Sequence, residues 1–143
     1  MTKIPLYWNK AKKYLSKKDK VMANLIKSYY SPSETILTSR KDIFFSLCKS
    51  IIGQQISVAA ANSVFLKFKK KCMNKINPKV VSKLTARQLR SCGLSRQKIL
   101  GIKSLAKQIL NKSFNPKLIS KMSDEDAIIY LSNLRQIGRW SAE

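Results

Sequence analysis

The most apolar stretch of this 143-residue chain runs from Asp42 to Gly53. Its large apolar side chains cover most of the surface of a helix, so most of a helix here would have to be buried. They are Ile43, Phe44, Leu47, Cys48, Ile51 and Ile52. Gly53 is well placed to end the helix, because glycine readily adopts the backbone conformation of a helix C-terminus. The sequence therefore predicts a buried central helix around which other segments pack.

Apolar residues recur at helical spacing through the rest of the chain, and a capping residue precedes several of these segments. The predicted helix starts are Ser57, Asn77-Pro78, Thr85, Ser95, Asn115-Pro116 and Ser123. Two further helices are expected before a break at Ser31-Pro32-Ser33. No alternating strand pattern occurs, and Gly and Pro are scarce, at four each. We predict an all-α fold of about eight to ten short helices, forming a single domain over residues 1–143.

The chain is strongly basic, with 29 Lys and Arg against 7 Asp and Glu and a formal net charge of +22. Such a charge points to a polyanionic partner, with nucleic acid as the first candidate. A lysine bias inherited from an AT-rich genome is the alternative explanation. The cations are spread along the sequence, so they belong to folded surfaces and not to a basic tail.

Cysteine and histidine usage argues against a metal centre. The three cysteines, Cys48, Cys72 and Cys92, lie far apart in sequence, and the chain has no histidine. This pattern does not match zinc-ligand or haem-attachment spacing. No signal peptide and no membrane-spanning apolar run is visible, so we expect a cytoplasmic, nucleoid-associated protein with no membrane partner.

The last part of the chain, about residues 123–143, contains a candidate phosphate-binding hairpin. An amphipathic segment ends near Leu134, a tight turn follows at Gln136-Ile137-Gly138, and a new helix opens at Arg139. Exposed amides at the start of a helix suit a phosphate, because they carry partial positive charge and lack backbone acceptors. The turn is therefore a candidate anchor for a nucleic-acid backbone.

Three motifs occur in the second half of the chain and around the central helix. The hairpin motif is Ile137-Gly138-Arg139-Trp140-Ser141-Ala142, a second motif runs from Ile51 to Ala61, and a third runs from Cys92 to Lys98. In the same order, they resemble motifs of the helix-hairpin-helix DNA glycosylases, specifically the 3-methyladenine DNA glycosylase II group, in which the third is the connection into the long middle helix. Together they cover most of the chain from about Asp42 onward. The resemblance implies the helix-hairpin-helix glycosylase fold, incomplete at the C-terminus.

The resemblance assigns two groups of DNA-binding residues. The hairpin residues Gln136, Ile137, Gly138 and Arg139 would anchor the phosphate backbone. In the family, hairpin carbonyls also hold a monovalent cation, here those of Leu134 and Gln136. The other group follows the central helix and comprises Gln54, Gln55, Ile56 and Ser57. Relatives place the side chain that enters the duplex here, with Gln55 the first candidate and Ile56 the second. An ordinary polar helix end is the alternative.

Trp140 separates two classes within the family. Relatives that also cut the DNA strand carry a Lys at this position as a Schiff-base nucleophile. A Trp is found in the group that only removes bases, where it can stack on an electron-poor alkylated purine in the base pocket. A core residue beneath the hairpin is the alternative assignment for Trp140.

Two departures from the family pattern bear on activity. Gln136 stands where relatives usually have Gly, at a position that can require a positive φ. The family's catalytic Asp is expected beyond Glu143, so no residue of this chain is assigned as catalytic. None of Asp19, Glu34, Asp42, Asp124, Glu125, Asp126 or Glu143 matches it.

The resemblance implies a monofunctional DNA N-glycosylase of base excision repair. It would remove alkylated purines such as 3-methyladenine from double-stranded DNA by base flipping, as a monomer and without cofactor or catalytic metal. The alternative is a non-catalytic DNA-binding fragment, or a truncated product that lacks the catalytic Asp.

Overall fold

The computed structural model describes residues 6–29 and 42–143. The chain divides into two compact units, Met1–Arg40 and Lys41–Glu143. The first unit contains α1 (Trp8–Lys18) and α2 (Lys20–Ser28), which pack against each other. Asp19 lies between them, and its carboxylate accepts the backbone N–H of Met22 at 2.9 Å, which starts α2. The predicted break at Ser31-Pro32-Ser33 lies outside the described residues.

The second unit consists of helices joined by turns and short loops. Its α-helices are α3 (Ile43–Gly53), α4 (Val58–Lys71), α5 (Pro78–Lys83), α6 (Ala86–Arg90), α7 (Arg96–Leu110), α8 (Asp124–Ser132) and α9 (Arg139–Ala142). A 3-10 helix, Pro116–Lys121, precedes α8. The described part of the chain contains no strand, which confirms the predicted all-α class. The single-domain assignment over residues 1–143 stays a prediction.

Side-chain caps set most of the helix starts, as predicted. Ser57 accepts the N–H of Ala60 at 3.2 Å to begin α4, and Asn77 accepts that of Val80 at 3.0 Å to begin α5. Thr85 forms a reciprocal capping box at the start of α6. Ser95 and Ser123 cap α7 and α8 by accepting the N–H groups of Lys98 and Asp126. These contacts span only three residues, so the local sequence is enough to specify them.

The core of the second unit lies between α3 and α7. Helix α7 packs against α3, α5 and α6, and α3 also packs against α4. Of the six apolar residues predicted to make α3 central, five are buried and Ile43 is half-buried. The most completely enclosed side chains of the core are Cys48, Ile51, Ile52, Phe68, Cys72, Val81, Leu89, Cys92 and Ile102. The predicted central helix is therefore confirmed.

Aromatic contacts hold α8, which leads into the hairpin. The rings of Phe114 and Tyr130 stack with centroids 5.1 Å apart, and the Tyr130 hydroxyl accepts the N–H of Asn115 at 2.9 Å. The end of α8 is thereby fixed to the segment that follows α7. None of the helices described is both long and apolar enough to cross a membrane.

Candidate nucleic-acid interface

The segment Gln54–Ser57, here called the wedge loop, joins α3 to α4. Gln55 has a left-handed backbone conformation, with φ of +56°. Its side chain is exposed, as is that of Ile56, while Gln54 is half-buried. Ser57 uses its hydroxyl to cap α4. The two candidates for the inserted side chain are therefore accessible, whereas the residues that flank them have partners within the protein.

The segment Asn133–Gly138, here called the hairpin, joins α8 to α9. Leu134 and Ile137 are buried and fix the turn to the core. The N–H of Ile137 donates to the carbonyl of Leu134 at 3.0 Å, which closes the turn. Gln136 has φ of +68°, a conformation that favours glycine. The expectation that this position requires a positive φ is therefore confirmed, although the residue is Gln.

A side-chain hydrogen bond joins the wedge loop directly to the hairpin. Gln54 Nε2 donates to the Gln136 carbonyl at 2.6 Å and lies 3.4 Å from Ser141 Oγ. The two glutamines are separated by 82 positions in sequence. Gln54, predicted to bind DNA, thus contacts the hairpin instead of pointing freely into solvent. Both predicted DNA-binding segments consequently occupy one neighbourhood of the second unit.

Lys98 holds the wedge loop from α7. Its Nζ donates to the carbonyls of Ile52 at 2.9 Å and Gln54 at 2.8 Å, which lie at the C-terminal end of α3. A cation suits this position, because carbonyls at a helix C-terminus lack backbone partners. Partial burial lowers the pKa of Lys98 from its usual value. The sequence assigned no role to Lys98, although it lies in the third motif that carries the family resemblance.

The first turns of α7 also hold the hairpin. Gln97 accepts a hydrogen bond from the Arg135 guanidinium at 3.0 Å. Gly101 lies beneath Gln136, so close that a Cβ on Gly101 would come within 2.8 Å of Gln136 Cγ. The helix α7 therefore contacts the wedge loop through Lys98 and the hairpin through Gln97 and Gly101.

The start of α9 presents backbone amides and an engaged arginine. Within the described ranges, the N–H groups of Gly138, Arg139 and Trp140 have no acceptor. The Arg139 guanidinium binds Glu125 through two hydrogen bonds, at 2.7 and 2.8 Å, and Glu143 at 3.0 Å. Its hydrogen bonds hold the pKa of the Glu125 carboxyl below its usual range. Arg139 is thus a predicted DNA contact that is paired with carboxylates in this structure.

Trp140 is 90% exposed, so it is not a core residue beneath the hairpin. An exposed indole can stack on a nucleobase, but the described residues do not enclose it. Its assignment to a base pocket stays a prediction.

The described acidic residues are distributed among structural roles. Asp19 and Asp42 cap helices, and Asp126 accepts the Ser123 hydroxyl at 2.6 Å. Glu125 and Glu143 bind Arg139. No group of three or more potential metal-ligating side chains was found among residues 6–29 and 42–143. Glu34 lies outside these ranges.

The hairpin carbonyls predicted to hold a monovalent cation each accept a hydrogen bond. The Leu134 carbonyl accepts from Ile137, and the Gln136 carbonyl accepts from the Gln54 amide. An N–H donor at 2.6 Å places partial positive charge beside the Gln136 oxygen, which opposes a bound cation. The Gln136 carbonyl therefore fits a cation ligand poorly, and the cation site stays a prediction.

Comparisons with known proteins identify the family of the chain and its fold. The sequence model described as HhH-GPD superfamily base excision DNA repair protein matches residues 48–139, from α3 to the first residue of α9. The chain is similar to alkylbase DNA glycosidase-like protein mag2 of Schizosaccharomyces pombe, with 29% identity over 95% of this chain and 65% of the relative. It is also similar to DNA-3-methyladenine glycosylase 1 of the same yeast, with 29% identity over 94% of this chain and 60% of the relative.

Solved structures share the fold. S. pombe 3-methyladenine DNA glycosylase (Mag1), in complex with abasic DNA, superimposes with a TM-score of 0.82 and 26% identity over 93% of this chain and 66% of that one. The 3-methyladenine DNA glycosylase of Archaeoglobus fulgidus superimposes with a TM-score of 0.70 and 24% identity, over 99% of this chain and 56% of that one. The chain spans less than two thirds of the length of these relatives. From the match over residues 48–139, the chain belongs to the HhH-GPD superfamily of base excision DNA repair proteins.

Proposed function

We propose that this chain carries the DNA-binding machinery of a monofunctional glycosylase that removes alkylated purines such as 3-methyladenine from double-stranded DNA. The observation that carries the proposal is the hydrogen bond from Gln54 Nε2 to the Gln136 carbonyl, which brings the wedge loop against the hairpin. A base-flipping enzyme needs both parts close together, because the duplex must be held while one stack is opened. The relatives support the substrate class, since their names describe glycosylases for alkylated bases and 3-methyladenine.

The proposed binding step uses the hairpin as a phosphate anchor. The amides of Gly138, Arg139 and Trp140, which have no acceptor among the described residues, offer hydrogen bonds to phosphate oxygens without reading sequence. The formal charge of +22 attracts the duplex at long range. Gln55 then fills the space that the flipped nucleotide leaves, with Ile56 beside it. The protein acts as a monomer on DNA in the cytoplasm.

The proposed chemistry is hydrolysis of the N-glycosidic bond. An alkylated purine carries positive charge, so it leaves with the bonding electrons as a neutral base, and water adds to the sugar carbon with loss of a proton. Trp140 would stack on the cationic purine before it departs. Trp140 also has no amine, so it cannot form the Schiff base that strand cleavage by a lyase requires. The product is an abasic site in an intact strand.

Release of free base from methylated duplex DNA tests this function. The purified chain is incubated with the duplex, the released bases are separated by chromatography, and the strand is analysed with and without alkali. Where 3-methyladenine is released, we expect strand breaks only after alkali treatment, because Trp140 supplies no amine for a lyase reaction. Breaks without alkali would overturn the monofunctional assignment. Binding without base release would identify a non-catalytic DNA-binding module.

A further inference from the structure

The wedge loop is constrained on both sides of Gln55. On one side, Gln54 donates its amide to the hairpin, while its own carbonyl accepts from Lys98 at 2.8 Å. On the other side, Ser57 is committed to capping α4. Gln55 and Ile56 remain as the exposed residues between these attachments. The loop therefore presents two side chains from a fixed frame.

Gln55 needs such a frame, because its backbone conformation is unfavourable. A residue with a Cβ is less stable in the left-handed region than in the right-handed one, because the Cβ lies too close to the following carbonyl oxygen. Such a conformation persists only where the surroundings impose it, and it is often found at functional sites. Here the surroundings of Gln55, at φ of +56°, are the two carbonyl contacts of Lys98 and the amide contact of Gln54.

We propose that Lys98 and Gln54 are positioning residues that hold Gln55 in the conformation in which it enters the DNA duplex. Lys98 fixes the C-terminal carbonyls of α3, and Gln54 sets the distance between the wedge loop and the hairpin. Neither side chain needs to touch DNA for this role. The inference rests on the proposed function and assigns to Gln54 a role inside the protein in place of a direct DNA contact.

The chain provides a matched control for Lys98. Lys103, five residues further along α7, donates to the carbonyls of Leu84 at 2.6 Å and Ser82 at 3.4 Å at the end of α5. Both lysines therefore bind carbonyls at the C-terminal end of a neighbouring helix, but only Lys98 contacts the wedge loop. Lys98→Met and Lys103→Met each remove one positive charge and the hydrogen bonds of one lysine to two carbonyls. A difference between them reports on the loop and not on charge or general stability.

The test uses a duplex with 2-aminopurine beside a tetrahydrofuran abasic-site analogue. The fluorescence of 2-aminopurine changes when the stack beside it is opened, and binding is measured separately by anisotropy. A misplacement of about 1 Å can cost about a hundredfold in a positioned step, so Lys98→Met should slow stack opening about tenfold or more. Lys103→Met should open the stack at the rate of the parent chain. Both variants should lower the affinity for undamaged duplex to a similar extent.

A second pair keeps the proposal testable if Lys98→Met does not fold. Gln54→Leu removes the contact with the hairpin, and Gln108→Leu removes a comparable side-chain contact, to Ser104 at 3.1 Å. Gln54→Leu should slow stack opening, whereas Gln108→Leu should not. If the parent chain opens the stack and the two variants of each pair respond equally, the positioning role is wrong. If the parent chain itself produces no fluorescence change, the proposed function fails.

Discussion

Gln136 and Gly101 form a close pair at the base of the hairpin. Gln136 adopts φ of +68°, a conformation that favours glycine, and its side chain lies over Gly101. An added Cβ at Gly101 would come within 3.1 Å of Gln136 Cβ and 3.3 Å of the Arg135 carbonyl. Because Gly101 has no side chain, there is room for the side chain of Gln136.

Gly101→Ala should destabilise the protein by about 1–3 kcal/mol, because the methyl group overpacks a buried contact. Gln136→Gly removes the side chain that the new methyl group would contact. The double variant, with both changes, should therefore lose less stability than the sum of the two single changes. Chemical denaturation followed by circular dichroism measures all three free energies of unfolding. Additive effects would show that the two positions do not interact.

The three cysteines should resist thiol reagents in the folded protein. Cys48, Cys72 and Cys92 are buried, and burial raises the pKa of all three, that of Cys72 to about 11. The reactive thiolate is therefore scarce near neutral pH. We expect little labelling by a disulfide reagent at pH 8 and labelling of all three cysteines after denaturation. Rapid labelling of the native chain would contradict this burial.

The cysteines should also make stability depend on pH. Because folding raises the pKa values of the three thiols, their contribution to the free energy of unfolding should fall as pH rises above about 9.

Three elements hold the hairpin together with the first residue of α9, Arg139. Helix α7 contacts it through Gln97 and Gly101, the wedge loop through Gln54, and the first turn of α8 through the pairing of Glu125 with Arg139. The last contact is exposed and so contributes little to stability. Its consequence is electrostatic, because it neutralises the arginine that lies beside the candidate phosphate anchor.

Glu125→Gln should strengthen DNA binding by releasing Arg139 toward a phosphate. One additional phosphate contact steepens the dependence of log affinity on log salt by about 0.9. Fluorescence anisotropy at several salt concentrations measures this slope. Asp124→Asn is the matched control, because it removes the same charge from the same turn, and Asp124 has no side-chain partner among the residues described. Equal slopes for the two variants would mean that Arg139 does not reach a phosphate.

At the scale of the molecule, the charged side chains of residues 6–29 and 42–143 lie at the surface. The described part of the chain has no buried polar or charged residue, so its lysines and arginines remain in contact with solvent. A formal charge of +22 on a folded chain produces a strong positive field that attracts any polyanion. Binding to undamaged DNA should therefore depend mainly on this field and little on base sequence.

Affinity for undamaged duplex should fall steeply with salt. If the chain neutralises about 6–10 phosphates, affinity should drop by about 10³–10⁵ between 50 and 200 mM salt. Titrations with undamaged and methylated duplexes over this range measure the charge-driven part of binding separately from lesion recognition. If affinity falls by less than about tenfold over this range, the charge reflects genome composition and does not serve DNA binding.

Local features of the sequence were enough to predict much of the fold. Ser57, Thr85 and Ser123 each bind a backbone N–H three residues ahead, so their role depends only on their neighbours. The spacing of apolar residues from Asp42 to Gly53 likewise identified the buried central helix. The hairpin and wedge loop were located because short motifs at both places resemble those of a known family.

Contacts between distant residues were decided only by the tertiary structure. Gln54 donates to the carbonyl of Gln136, 82 positions away in sequence. Lys98 donates to the carbonyls of Ile52 and Gln54, which lie 46 and 44 positions away. The sequence suggested two separate DNA contacts, while packing around α7 joined them and paired Arg139 with Glu125. Packing also left Trp140 exposed, although its apolar character is equally compatible with a core position. Periodicity and capping are local properties, whereas the partner of an amide or a guanidinium depends on which helices meet.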